Sequence, residues 1–328
     1  MNKWVLIVIV VLACDWASAQ EFGCTDPLSS NYNPMATDND GSCQYASAKV
    51  KATTTVSLPD EVQETSGLIL FNDILYTHND NADLNLYALN NTTGAVIKTL
   101  PVKGATNRDW EEIAQDNDYF YIGDFGNNVS GNRQDLNILK MSKKSILDGK
   151  PKVDSILFSY SDQTDFSVKK NNNTDFDCEA MVVSKDSIYL FTKQWVNKKT
   201  AVYVLPKIPG KYTARLKTTY DVKGMITGAT YLEDKRLVVL CGYNGFVTPF
   251  VYLLYDFKGQ DFFSGNKRKI GINGLGFHQV EGIATANGLT YFVSNERLVQ
   301  RPFVNVIQKI HRFDLSPFLA GYLENLKL

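Results

Sequence analysis

The chain has 328 residues, 44% hydrophobic and 12% aromatic, and its 34 Lys and Arg set against 35 Asp and Glu leave a formal charge of −1. That length admits two ordinary domains, or one repeat domain carrying a small appendage. A charge this evenly balanced excludes the basic footprint of a protein that grips a phosphate backbone, so no nucleic-acid partner is expected.

The chain opens on an export signal. Lys3 precedes the apolar run 4–13, and Ala17-Ser18-Ala19 supplies small residues ahead of Gln20. Residues 1–19 therefore read as a signal peptide, and the mature chain is expected to be secreted, periplasmic or at the cell surface. Cys14 offers an alternative as the acceptor of a lipid anchor, although Leu12 fits that signal poorly. No later run is long and apolar enough for a bilayer helix, so no membrane span is expected. An oxidising compartment suits the remaining cysteines. Cys24 and Cys43 bracket a polar segment too small to hold itself together, so they are expected to be bonded. Cys178 and Cys241 either pair or stay as two buried thiols.

Residues 20–46 form a small module and 47–52 a polar linker. The module reads Gly23-Cys24-Thr25-Asp26 at one end and Asp40-Gly41-Ser42-Cys43 at the other, and it resembles the short Gly-Cys-Thr-Asp modules of secreted Bacteroidetes proteins. Asp38, Asp40 and Gly41 match the acidic start of a calcium loop, yet no Glu follows to close one. The plainer reading is a surface knob shaped by Asx turns and one disulfide.

The propeller domain is expected over 53–328. Residues 53–58 read as a lone strand stopped by Pro59. Beyond it one outline returns five times, at Glu64-Thr65-Ser66-Gly67-Leu68, Asp109-Trp110-Glu111-Glu112-Ile113, Asp177-Cys178-Glu179-Ala180-Met181, Met225-Ile226-Thr227-Gly228-Ala229 and Gln279-Val280-Glu281-Gly282-Ile283. Each copy is followed at the same offset by a second apolar run, at Tyr76, Tyr121, Tyr189, Leu237 and Tyr291. Repeats of this length mean arrays or propeller blades. Four copies divide into four strands and the fifth into three, so the strand at 53–58 is expected to complete the last blade and close the ring, which removes open edges. The fold expected is all-β, a five-bladed β-propeller of four antiparallel strands per blade. Six blades is the alternative, because the long interval from Ile113 to Met181 has room for a degenerate one.

On that geometry the loops entering each first strand share a face with those joining second and third strands. Glu64, Asp109 and Asp177 fall at equivalent places on the mouth of the channel, and Glu111, Glu179 and Glu281 sit two residues further in. The second-strand loops add Asp80, Asp124, Lys193, Tyr243, Glu296 and Arg297 to this binding set. Acids crowded on one axis repel unless a cation neutralises them, so Glu111, Glu179 and Glu281 are candidate ligands of a divalent ion, with calcium the best match. The alternative is that the acids fasten neighbouring blades through backbone N–H groups. His78 and His278, in the first and last blades, are candidate general acid and base together with Asp80 or Glu281. Trp110, like Trp195, offers a flat face for a sugar ring, or packs between blades. No nucleophile elbow, Walker loop, dinucleotide fingerprint or zinc-type Cys and His cluster is present.

Through these repeats the chain resembles secreted bacterial propellers of the NHL-like and phytase-like kind. The resemblance implies calcium-bound phosphatases, lactonases or pure binding modules. A phosphatase would want a basic cluster beside its metal, and only Arg108, Lys193 and Arg297 stand near the mouth. The expected function is a monomeric, secreted or cell-surface ligand-binding propeller, assisted by calcium, that holds a small molecule, glycan or extracellular protein at its acidic mouth. The alternative is a calcium-dependent hydrolase of lactonase, esterase or phosphatase type using His78 or His278.

Overall fold

The computed structural model describes residues 20–326 except Ala82; the expected export signal and Cys14 lie outside these residues. In the amino-terminal module β1 (Phe22–Gly23) pairs with β2 (Asp38–Asn39), and Cys24 is bonded to Cys43. Asn39 and Asp40 accept the N–H groups of Gly41 and Ser42 in Asx turns, which is the plainer of the two readings of this stretch. Two short strands follow, β3 (Ala48–Lys51) and β4 (Thr54–Ser57).

The remaining strands form five antiparallel units. Unit one holds β5 (Thr65–Phe71), β6 (Ile74–Asn79), β7 (Asn85–Asn90) and β8 (Val96–Pro101). Unit two holds β9 (Trp110–Gln115), β10 (Tyr119–Asp124), β11 (Asn137–Ser142) and, after helix α1 (Lys143–Leu147), β12 (Val153–Tyr160). Unit three holds β13 (Cys178–Val183), β14 (Ser187–Thr192), β15 (Thr200–Pro206) and β16 (Gly210–Tyr220). Unit four holds β17 (Met225–Leu232), β18 (Leu237–Tyr243), β19 (Pro249–Tyr255) and β20 (Asn266–Asn273). Unit five holds β21 (Val280–Thr285) and β22 (Thr290–Asn295), then a β23 (Leu298–Gln300) and β24 (Val304–Val306) hairpin, then β25 (Lys309–Asp314), before helix α2 (Ser316–Asn325). This is an all-β propeller. Much of the interval from Ile113 to Met181 goes into α1 and the loops 125–136 and 161–177.

Local chemistry explains the hairpins and the seams explain the ring. Asn72 and Asp73 both hold positive φ, 51° and 60°, as a two-residue turn between right-twisted strands requires. Buried apolar residues divide into five clusters, one at each seam between successive units, and the fifth joins Leu68, Leu75 and Leu89 of unit one to Ala284, Phe292 and Ile310 of unit five. β4 pairs antiparallel with β25, from Ser57 opposite Lys309 to Thr54 opposite Arg312. The lone early strand thus supplies the strand that the fifth repeat lacks.

Val56 of β4 packs on the apolar cluster between units one and five. Val56→Asp sets a charge against that seam and is expected to cost about 2–3 kcal/mol in urea unfolding. An unchanged midpoint would mean that β4 does not hold the ring.

The expected linker at 47–52 is instead largely strand β3, which pairs in parallel with β20 from Ala48 opposite Ile270 to Lys51 opposite Asn273. Its two Lys masked the alternation: Ala48 and Val50 face the cluster between units four and five while Lys49 and Lys51 face water. Parallel pairing of β12 with β16 likewise joins the outer edges of units two and three. Cys178 and Cys241 are free buried thiols.

Candidate functional site at the channel mouth

The innermost strands carry a register shift at one level of the channel. In β9, β13, β17 and β21 it leaves Glu111, Glu179, Thr227 and Glu281 opposite no residue of the neighbouring strand. A bulge re-aims the side chain it carries, and here it sends three carboxylates into the mouth. In unit one the equivalent position is Ser66, whose hydroxyl donates to the Glu111 carbonyl at 2.7 Å, and in unit four Thr227 donates to the Val280 carbonyl. These two hydroxyls fasten neighbouring units.

One residue deeper stand Gly67, Glu112, Ala180, Gly228 and Gly282. Glu112 was not among the residues expected to matter. It is wholly buried and spans the axis, accepting the Ile113 N–H at 3.0 Å and the Ala229 N–H at 2.7 Å, with the N–H groups of Met181 and Leu68 also directed at it. A Cβ on Gly67, which holds φ of 67°, would lie 2.9 Å from the Glu112 Oε1. Four small residues leave room for one long one. Glu112 therefore plugs the channel, and the mouth ends blind. The signal for it was legible as the single acid in a column otherwise of Gly and Ala.

Above the plug, Glu111, Asp177 and Glu179 are buried, and each offers a carboxylate oxygen within 4.8 Å of the others. A calcium ion held at roughly 2.4 Å from each ligand needs oxygens no more than about 4.8 Å apart, so this spacing fits one. Two members of the expected ion set, Glu111 and Glu179, belong to this group with Asp177 as its third, and Glu281 lies outside it. Asp177 accepts the Asn127 N–H at 2.6 Å and the Trp195 indole at 2.7 Å, so it also ties units two and three together. Gly126 leaves space for this arrangement, since any Cβ there would strike Glu111 and Asp109.

Lys193 is the buried cation among these acids. Its ammonium meets Glu179 Oε1 at 3.1 Å and lies over the rings of Trp195 and Tyr243 at 4.7 and 5.3 Å. Burial pulls the ammonium down, but Glu179, Tyr243, Glu281 and Asp177 together raise it well above its ordinary value. Burial, joined by repulsion from neighbouring acids, also pushes Glu111, Glu179 and Glu281 well up. On the side of units one and five, burial raises Asp80 to about 8, with Glu296, Glu64 and Asp109 adding to it. Burial raises Glu296 to about 7 against the pull of Lys193, and Asp109 to about 6 with Asp177 adding to it. The mouth holds more carboxyl groups than Lys193 can pair, and burial holds them toward the protonated form.

The other expected residues divide. Glu64 lies half-buried beside Asp80 and Glu296. Asp124 is already neutralised by Arg133 at 2.8 Å and accepts the Asp109 N–H at 3.2 Å, so it fixes the loop before β9 rather than facing a ligand. Arg297 is exposed on the rim and bonded to Gln63. Trp110 offers no sugar platform: it is wholly buried, its indole donates to the Thr106 carbonyl at 2.9 Å, and its ring meets His78 edge-on. Half-buried Trp195 keeps that role open.

The expected acid and base pair does not form. His78 packs on Trp110 at the seam of units one and two, and burial lowers it to about 4. His278 packs on His311, 5.4 Å between ring centres, and is also lowered by burial. His311 faces the seam of units four and five, so the two candidates lie on opposite flanks, and neither bonds a mouth carboxylate.

Fold and site together define a propeller whose channel opens on an acidic, one-sided mouth. No protein-family model and no curated protein matches the sequence. Among solved structures, the PQQ-bound aldose sugar dehydrogenase of Streptomyces coelicolor is similar over 81% of this chain and 98% of that one, at 11% identity and a TM-score of 0.48. The RRP9 WD40 repeats are similar over 81% and 99%, at 9% identity and 0.42. A chain of the mitotic checkpoint complex is similar over 84% and 97%, at 8% identity and 0.41. Among the described residues no helix is long and apolar enough to cross a membrane.

Proposed function

We propose that the chain is a five-bladed, secreted or cell-surface binding propeller that holds a calcium ion at Glu111, Asp177 and Glu179 and presents it, with the surrounding mouth, to an extracellular ligand. The observation that carries this is the spacing of those three buried carboxylates. Hard oxygen donors suit calcium, and carboxyls crowded in excess of Lys193 favour a cation that would let them ionise. A glycan or a protein is the ligand class this mouth suits, with half-buried Trp195 as a face for a sugar ring. The hydrolytic alternative needs His78 or His278 beside a mouth carboxylate, and neither stands there.

Calorimetric titration of calcium into EDTA-stripped protein tests the reading. Binding is expected, and Glu111→Gln or Glu179→Gln should weaken it at least tenfold, whereas Glu281→Gln should change it less. Absence of heat in the parent protein, or equal titrations for parent and Glu111→Gln, would reject the ion site.

A further inference from the structure

Three aromatic rings stand exposed on the same face as the acidic mouth. Phe246 (85% exposed) lies in the loop from β18 to β19, Phe277 (54%) in the loop from β20 to β21, and Phe303 (92%) at the tip of the β23–β24 hairpin. All three belong to units four and five. Single exposed apolar residues are ordinary, but several gathered on one rim mark an interaction surface. One of these rings, Phe277, is held out on strained backbone, and a second, Phe246, precedes a strained residue. Phe277 and Val247, the neighbour of Phe246, hold left-handed φ of 63° and 51°, which bulky and β-branched residues adopt only under strain. The Phe277 N–H donates to the Val247 carbonyl at 2.9 Å, locking the two loops to each other.

Below this rim lies the half of the mouth that the calcium triad does not use, with Glu281, Glu296 and Asp80. Glu281 is buried, and its Oε2 has no hydrogen-bond partner. These acids are not among the carboxylates that close to within 4.8 Å of one another, which are Glu111, Asp177 and Glu179. A wider set suits a larger cation than a metal ion. The arginine guanidinium spreads five N–H donors over a plane and stacks on aromatic rings. Lys193, the nearest buried cation, is bonded to Glu179 and draws on Glu281 and Glu296 only at longer range.

We infer that this side of the mouth docks a protein partner by an arginine side chain that enters between Glu281, Glu296 and Asp80, while Phe246, Phe277 and Phe303 pack on apolar residues flanking it. The inference rests on the mouth being the binding face, and not on the calcium ion.

Fluorescent peptides with a central arginine between leucine pairs are the probe, with a citrulline peptide of the same shape and no charge as the control. Anisotropy is expected to show the arginine peptide bound at least tenfold more tightly than the citrulline peptide. Glu296→Gln and Asp80→Asn should each weaken the arginine peptide about fivefold and leave the citrulline peptide unchanged. Phe303→Ala, altering a side chain almost wholly in water, should weaken both peptides while leaving the thermal midpoint in place. EDTA should leave arginine-peptide binding intact. Equal affinity for the two peptides, no binding of either, or indifference to Glu296→Gln would overturn the inference. Binding that EDTA abolishes while Glu296→Gln spares it would also overturn it, and would leave the calcium reading standing.

Discussion

Glu112→Ala is expected to destabilise the protein by about 3–5 kcal/mol, because it strips the shared acceptor from several buried backbone N–H groups. The carboxylate is wholly buried and collects N–H groups from β9 and β17 directly, with those of Met181 in β13 and Leu68 in β5 directed at it as well. Removing it leaves donors from four inner strands facing each other, and each buried unsatisfied N–H costs about 1–3 kcal/mol. Glu112→Gln keeps one accepting oxygen but turns an amide N–H₂ toward another donor, so about 1–3 kcal/mol is expected of it. Urea unfolding followed by tryptophan fluorescence measures both. A loss below about 1 kcal/mol for the alanine variant would show that water or repacking replaces the carboxylate, and that it does not clamp the ring.

The metal-free protein is expected to lose stability as pH rises from about 6.5 to about 8.5. Asp80 at about 8 and Glu296 at about 7 stay protonated in the fold, whereas in the unfolded chain they ionise near 4. Groups raised on folding stabilise the fold at low pH, and that contribution fades as pH climbs through their folded values. Below about 6.5 the trend is opposed by His78, His278 and His311, which burial holds below their ordinary value and which favour the fold as pH rises toward it. Above that point Asp80 and Glu296 dominate, and Lys269, which burial lowers to about 8, offsets only part of the loss near the top of the window. In EDTA the thermal midpoint should fall by on the order of 5 °C between pH 6.5 and 8.5. Calcium should restore most of the fall at pH 8.5 and add little at pH 5, where protons already neutralise the acids. A midpoint that stays flat or rises in EDTA would show that the mouth carboxyls are not held protonated.

What the sequence showed and what it hid follow from the range of each interaction. The hairpins were legible because alternation and turn residues are local: the apolar runs around Ile113 and Tyr121, and the Asn72-Asp73 turn, mark strands within a few residues of themselves. The acidic mouth was legible because repetition places Glu111, Glu179 and Glu281 at one level without any knowledge of packing. Partner choice was not. That Asp124 belongs to Arg133, and that Asp177 joins Glu111 and Glu179 where Glu281 was expected, depends on loops whose paths no periodicity records. Proximity of His78 to His278 was inferred from adjacent units, but each strand has two faces, and the two rings take the seams on either side. The β3 strand was hidden by brevity and by its lysines, which an outer edge tolerates and a linker would also favour.

Pairing of β4 with β25 sets the order of assembly. Thr55 bonds His311 across 256 positions of chain, so β4 emerges early and pairs only after its partner strand is made. Units one to four each contain their own strands and can mature as they emerge, while unit five must wait with an unfilled side until the early segment swings back. Contacts of such long sequence separation form slowly, which makes the ring-locking step the slow one and leaves the β25 edge as the point where a second copy of the chain competes during synthesis.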